Sequence, residues 1–260
     1  KAGVKLDKKT NLTGALLLVS HGQIEKLAQY ALNNDTFDKK ALKNVLNGDQ
    51  SLDLALFGRM VADNPELNVD ASAQVAHALS THEIVPEYDY FTALDDLQPE
   101  DNAGAAMLGS LEFNSSTLYR YANVNINELV YNLDQDSAIT GAVSFVKEFL
   151  LTMPTGKQNT FANKTLPNYV MVNLRTDTPV NLVSAFEEPV KSKDRYVKKS
   201  IKKFEKEFET SQDFVDTPNL SIVLSEFETN SGEKVANVNE LLKRVTDGLK
   251  KAVQDENTSN

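Results

Sequence analysis

Residues 88–116, YDYFTALDDLQPEDNAGAAMLGSLEFNSS, constrain this chain more than any other stretch. Three aromatics, Tyr88, Tyr90 and Phe91, and a Leu-Asp-Asp turn precede a loop of Ala, Gly, Pro and acids, and an alternating run resumes at Leu108. Alternation carries the period of a strand, and Gly, Pro and Asp between two such runs are turn formers, so the stretch predicts a long β-hairpin. Both legs present aromatic and aliphatic side chains, and the hairpin is expected to protrude with that apolar surface exposed.

The rest of the chain supplies helices and strands around this hairpin. Residues 11–33 place Leu12, Ala15, Leu16, Val19, Ile24, Leu27, Ala28 and Ala31 close to a 3.6-residue period, which predicts one or two helices with Gly14 and Gly22 as weak points. Residues 36–46 predict a helix capped by Thr36, with Leu42, Val45 and Leu46 on one side and Lys39, Lys40 and Lys43 on the other. SLDLALFG at 51–58 alternates as a strand does, and the Ala-rich 70–81 reads as a helix capped by Asp70. A long strand is expected over 111–124, an apolar helix over 137–153, a strand over 166–175, a helix over 196–208, a short strand over 220–224 and a last helix over 235–253. Strands separated by single helices, with long excursions, describe an α+β protein forming one elaborated domain over 1–260.

Composition sets limits on function. With 41% hydrophobic and 25% charged residues among 260, the chain has material for a core. The longest apolar run, ALLLVS at 15–20, falls far short of the ~20 residues that span a bilayer, and no signal-peptide pattern is present, so a cytoplasmic location without a membrane partner is expected. The absence of cysteine excludes disulfides, thiolate catalysis and Cys-based zinc sites. A net charge of -10 argues against binding nucleic acid by bulk electrostatics, though not against local basic patches. The opening KAGVKLDKKT lacks a methionine and runs at once into a helix-like pattern, so a native N-terminal portion is expected to precede it.

Few residues suggest chemistry. His77 and His82 are five apart, a poor spacing for a metal pair on a helix, and ordinary structural histidines account for them. Asp95-Asp96 could hold a metal or act as acid and base, but Asp is also favoured in solvated turns. Neither a nucleophile elbow nor a phosphate-binding loop motif is present, so no catalytic residue, metal or cofactor is expected. PTGKQN at 154–159 offers an open backbone at Gly156, a charge at Lys157 and two amides, which suits phosphate, sugar or base contacts as well as a polar loop after a helix. Tyr119-Arg120-Tyr121 fits a base-stacking strand, and equally buried tyrosines with an exposed Arg. The lysines of 196–208 read as a solvated helix face.

The ordered blocks ALFGRM, QVAHALSTH, DYFTALDDL, EFNSSTLYRYANV, PTGKQN, YVMVNLR and NLVSAFEEPVKSKD strongly resemble the CasC family, the helical backbone subunits of the type I-E CRISPR surveillance complex, Cascade. The resemblance covers about residues 38–208. It implies a hand: an RRM- or ferredoxin-like palm continuing through 111–260, helical fingers within 11–82, and a hairpin thumb over 83–110. It also implies partners, namely crRNA, target DNA, copies of the chain itself, and large, small and guide-end capping subunits.

Tyr90, Phe91, Thr92, Leu94 and Leu108 match thumb positions that pack against displaced guide bases. Met60 matches a wedge against the guide strand, with Arg59 beside it among the RNA-contacting residues, and Lys157 and Gln158 match a loop against the guide. Lys39, Lys40 and Lys43 match a basic stretch facing incoming DNA. The family's N-terminal palm strand and its Ser-rich basic segment have no counterpart here, and Tyr90 stands where a bulkier aromatic is usual. Apolar and aromatic surface offsets unstacking without reading sequence, as a subunit accepting any guide requires. Two other readings fit the sequence: a metal-dependent RNA-cutting backbone subunit using Asp95 or Asp96, and an assembly protein without nucleic acid.

Overall fold

A computed structural model describes residues 6–10, 12–14, 16–93 and 107–259, with side chains up to 254. In chain order the elements are α1 (His21–Asn33), α2 (Lys39–Asn47), α3 (Leu52–Phe57), β1 (Ala73–Val75), β2 (Leu79–Ser80), β3 (Glu87–Ala93), β4 (Met107–Phe113), β5 (Leu118–Tyr119) and β6 (Ala122–Val124). There follow α4 (Ile126–Asn132), α5 (Gln135–Leu151), α6 (Gln158–Phe161), β7 (Tyr169–Leu174), α7 (Tyr196–Ser211), β8 (Leu220–Ser225), β9 (Glu233–Val235) and α8 (Val238–Ser259). The fold is α+β, and the chain divides into two compact units. One comprises Lys1–Ala76, Ala122–Pro179 and Thr217–Asn260; the other comprises His77–Tyr121 and Val180–Asp216.

The first unit is built on a three-stranded sheet in the order β7-β8-β9, antiparallel between β7 and β8 and parallel between β8 and β9. Val170, Ile222 and Val235 point from it into a core shared with Leu129, Ile139, Ala142 and a stripe on α8, Leu241, Val245, Leu249 and Val253. That four-residue spacing places the stripe on one helical face, and its burial holds the helix to the sheet. The sequence reading of β7, β8 and α5 agrees with this unit to within a few residues. The last helix begins at Val238 because Val235 is spent on β9.

Three expectations are corrected here. Residues 51–58 form the helix α3, not a strand: Leu54, Ala55 and Leu56 are all buried, which consecutive residues of a one-sided strand could not be. Six residues are too few for periodicity to separate a strand from a helix. Residues 70–81 form β1 and β2 rather than an Ala-rich helix. Ala73 pairs with Val124, the Ser72 hydroxyl donates to the Ala55 carbonyl at 2.7 Å, and the Asn125 N–H donates to the Ser72 carbonyl at 2.7 Å, so tertiary partners outweigh the helix propensity of alanine. Of the one or two helices expected over residues 11–33, the described residues contain one, α1. It starts at Ser20, whose hydroxyl accepts from the Gln23 N–H while the Gln23 side chain caps Ser20 in return. Asp38, not Thr36, caps α2.

The second unit holds two antiparallel pairs, β2 with β5 and β3 with β4, together with a 3-10 turn at Leu182–Phe186 and α7. Residues 111–124 are therefore not one strand. They supply the end of β4, all of β5 and all of β6, each with a different partner. Ile201 and Phe208 of α7 are buried and Phe204 packs on the Tyr119 ring at 6.0 Å. The Ser200 and Thr81 hydroxyls lie 2.8 Å apart, and the Val190 N–H donates to the Thr81 carbonyl at 2.9 Å. These contacts fix α7 against β2 through the face opposite its lysines.

Candidate nucleic-acid interface

The hairpin pairs Tyr88 with Glu112, Tyr90 with Ser110, Phe91 with Gly109 and Thr92 with Leu108. Directly paired residues share a face, and faces alternate along a strand. Tyr88, Tyr90, Thr92 and Leu108 therefore lie together on one face with Glu112, while Phe91 lies on the other with Glu87, Asp89 and Leu111. Tyr90 is 65% exposed and Leu108 60% exposed, as the sequence pattern implies. Tyr88, which was not among the candidate residues, is 67% exposed on the same face and is legible from the same alternation.

Phe91 is only half exposed because its ring lies across Gly109. A Cβ at Gly109 would sit 2.5 Å from Phe91 Cζ. The missing side chain makes room for the ring, an aromatic covering a strand glycine. Gly109→Ala is expected to push Phe91 off the strand and weaken the hairpin by about 1 kcal/mol. Amide hydrogen exchange over β3 measures this as faster exchange there, with α8 unchanged.

Met60 is 79% exposed, directly after a side chain that is 5% exposed. Gly58 ends α3 at φ 75, where a Cβ would meet the Val69 carbonyl oxygen at 2.7 Å, so only glycine fits. Arg59 then pairs with Val69 in a short antiparallel bridge. Alternation turns Arg59 inward and Met60 outward.

The structure corrects Arg59 as an RNA-contacting side chain. Its Nε donates to the Leu67 carbonyl at 2.8 Å, one terminal nitrogen to the Leu46 carbonyl at 2.9 Å, and the other to the Leu18 carbonyl at 3.2 Å and Gln23 Oε1 at 3.3 Å. Burial lowers its pKa from the ordinary arginine value. The guanidinium is a structural hub that sets the perch of Met60.

The remaining candidates divide between exposed and engaged residues. Lys39 and Lys40 are exposed at the start of α2, whereas Lys43 forms an ion pair with Glu66. Lys157 and Gln158 are exposed, with Lys157 held at φ 59 ahead of α6, a left-handed conformation unusual for a side-chain-bearing residue. Leu94, Asp95 and Asp96 lie outside the described residues. Among the described residues no group of His, Cys, Asp and Glu could hold a metal ion. No helix among them is long and apolar enough to cross a membrane.

Tyr119 belongs to the core of the second unit rather than to a stacking platform. Its hydroxyl donates to Asn181 Oδ1 at 2.9 Å and accepts from the Leu182 N–H at 3.1 Å, and its ring packs on Phe186 at 5.4 Å. Burial pushes its pKa well above the ordinary tyrosine range. A raised folded pKa gives stability that is complete below the unfolded value and is lost as pH rises toward the folded one. Denaturant unfolding of the wild type is expected to weaken above roughly pH 10, with the loss much reduced in Tyr119→Phe. That variant should also lose about 1 kcal/mol at neutral pH for the two hydrogen bonds. His82 is likewise structural: its ring stacks on Tyr196 at 4.0 Å, and Nε2 accepts from the Thr117 N–H at 3.1 Å.

This architecture is that of subunits in RNA-guided complexes. A chain of a structure described as "CRISPR RNA-guided surveillance complex, pre-nicking" superposes with a TM-score of 0.82 at 26% identity, covering 95% of this chain and 73% of that one. A chain of another, described as "CRISPR RNA-guided surveillance complex", gives a TM-score of 0.67 at 29% identity over 89% of this chain and 85% of that one. A model of the CT1975-like protein family matches residues 1–248, and the chain belongs to that family. This bears out the CasC-type resemblance read from the sequence blocks. A search of curated proteins returns no match.

Proposed function

We propose that this chain is a non-catalytic backbone subunit of a type I-E CRISPR surveillance complex, several copies of which polymerise along one crRNA and present it for pairing with target DNA. The observation that carries this reading is the hairpin. β3 and β4 pair only with each other among the described residues, and their Tyr88, Tyr90 and Leu108 face is solvent-exposed. A lone two-stranded hairpin is marginal in water, so such a face is built to be covered by something. Likeness to surveillance-complex chains over nearly the whole sequence supports a guide base as the covering group.

In this reading the first unit contains an RRM- or ferredoxin-like palm, α1 to α3 belong to the fingers, and the hairpin is the thumb. Tyr90, Thr92 and Leu108, with Leu94 and Phe91, offer apolar and aromatic surface to unstacked bases, and such contacts are sequence-tolerant. Met60 wedges against the guide strand. Lys157 and Gln158 meet its backbone, and Lys39 and Lys40 attract the phosphates of incoming DNA. Guide pairing then supplies the sequence specificity that these contacts lack. Large, small and guide-end capping subunits complete the cytoplasmic assembly.

The test is to purify the chain with its neighbouring subunits at low and high salt, strip the protein and size the nucleic acid on a denaturing gel. A single RNA band of uniform length, retained at high salt, is expected. Absence of RNA would overturn the reading. Cleavage of a bound RNA that Asp95→Asn or Asp96→Asn abolishes would replace it with the metal-dependent effector.

A further inference from the structure

The chain has four methionines and no cysteine, so sulfur oxidation can act on it only at thioethers. A thioether reacts by direct attack on an oxidant, and its rate follows its access to solvent. Met153 and Met171 are partly buried, whereas Met60 is 79% exposed and Met107 57% exposed. Exposure therefore singles out two sulfurs.

The two differ in their setting. Met107 opens β4 on the hairpin face of Phe91, away from Tyr90 and Leu108. Met60 stands on a fixed support. Before it, the Arg59 N–H donates to the Val69 carbonyl and accepts the Val69 N–H on its own carbonyl, both at 2.9 Å, while the Arg59 guanidinium is held by the carbonyls of Leu18, Leu46 and Leu67. After it, the Val61 N–H donates to Asn68 Oδ1 at 2.7 Å. Backbone fixed on both sides keeps the Met60 thioether in solvent.

We propose that Met60 is a site of reversible oxidation by hydroperoxides that controls guide binding by the free chain. With hydrogen peroxide, a sulfur lone pair attacks one peroxide oxygen, and the S–O bond forms as the O–O bond breaks. The proton of the transferred hydroxyl passes to the departing hydroxide, which leaves as water. Sulfur is oxidised by two electrons and the peroxide is reduced. The sulfoxide is polar, and methionine sulfoxide reductases, one for each epimer, return it to the thioether. Against the apolar face of a base its oxygen has no hydrogen-bond partner, so the contact weakens. The control rests on the reading of Met60 as a wedge against the guide. A bound guide covers the sulfur, so the free chain is the form open to oxidation.

The test treats the full chain, free and with a short labelled RNA, with hydrogen peroxide and maps sulfoxide at each methionine by peptide mass spectrometry. Anisotropy of the RNA reads affinity before and after treatment in the wild type, Met60→Leu and Met107→Leu, each compared with its own untreated state. Thermal melting checks the fold. Met60 is expected to oxidise faster than Met153 and Met171 in the free chain and to be protected by RNA. The wild type and Met107→Leu should lose about tenfold in affinity on treatment and regain it with methionine sulfoxide reductases, whereas Met60→Leu should show no loss on treatment. Equal losses in Met60→Leu and the wild type, or oxidation of Met60 that RNA does not slow, overturn the proposal. Affinity that survives oxidation of Met60 overturns the control alone. An untreated chain that binds no RNA overturns the backbone reading and the control with it.

Discussion

Arg59→Leu is expected to destabilise the first unit by about 3 kcal/mol or more, because it strands several buried acceptors at once. The lost partners are the carbonyls of Leu67, Leu46 and Leu18 and the Gln23 side chain. Gln23 is fully buried and donates to the carbonyls of Leu46 at 3.0 Å and Gly48 at 2.7 Å, so the damage reaches α1 and the end of α2 through one network. A lysine at 59 is not conservative, since an ammonium cannot donate in three fixed directions. For a chain of this size the melting temperature should fall by roughly 6–12 °C. Met60→Ala supplies the contrast. It should leave the melting temperature unchanged and weaken guide binding, because Met60 touches little of its own chain. Loss of melting temperature in both variants would place Met60 in the core and remove it from the interface.

The second large effect is expected on assembly rather than stability. Tyr90→Ser with Leu108→Ser removes two diagonal neighbours from the exposed hairpin face, and base stacking on an aromatic is worth about 1–3 kcal/mol per base. Guide affinity should fall roughly thirtyfold or more, measured by anisotropy of a labelled RNA, while circular dichroism and thermal melting stay close to wild type. Phe91→Ala acts differently. It strips the cover from Gly109 and loosens the hairpin as well as the contact, so loss of β3 amide protection should accompany its loss of assembly. Unchanged affinity in the Tyr90 and Leu108 double variant would remove this face from RNA binding.

Much of the candidate interface was legible in the sequence because exposure along a hairpin follows a two-residue period. The same alternation that marks Tyr90 marks Tyr88, the PTGKQN loop stood out by its glycine, lysine and amides, and the resemblance to CasC-type proteins added Met60. Arg59 was placed among the RNA-contacting residues because it stands beside Met60 in the ALFGRM block. Only the fold shows that its guanidinium is surrounded by carbonyl oxygens. Tyr119 and Tyr121 stood open between stacking platform and core until Phe186, Phe204 and Asn181 closed around Tyr119. Lys43 looked equivalent to Lys39 and Lys40, and its partner Glu66 comes from a turn that helix periodicity does not reveal.

The sequence alone determined the α+β class, the hairpin, the helices α5, α7 and α8 and the strands β7 and β8. Each of these repeats its apolar residues long enough, or brackets them with turn formers clearly enough, for one period to dominate. Tertiary structure decided the short elements. SLDLALFG became a helix and DASAQVAHALST became two strands, because six to twelve residues carry propensities worth less than the hydrogen bonds and buried contacts offered by Val124, Asn125 and Leu129. It also decided which charges are spent inside the fold and which face outward, since ion pairs and buried donors join residues far apart in the chain.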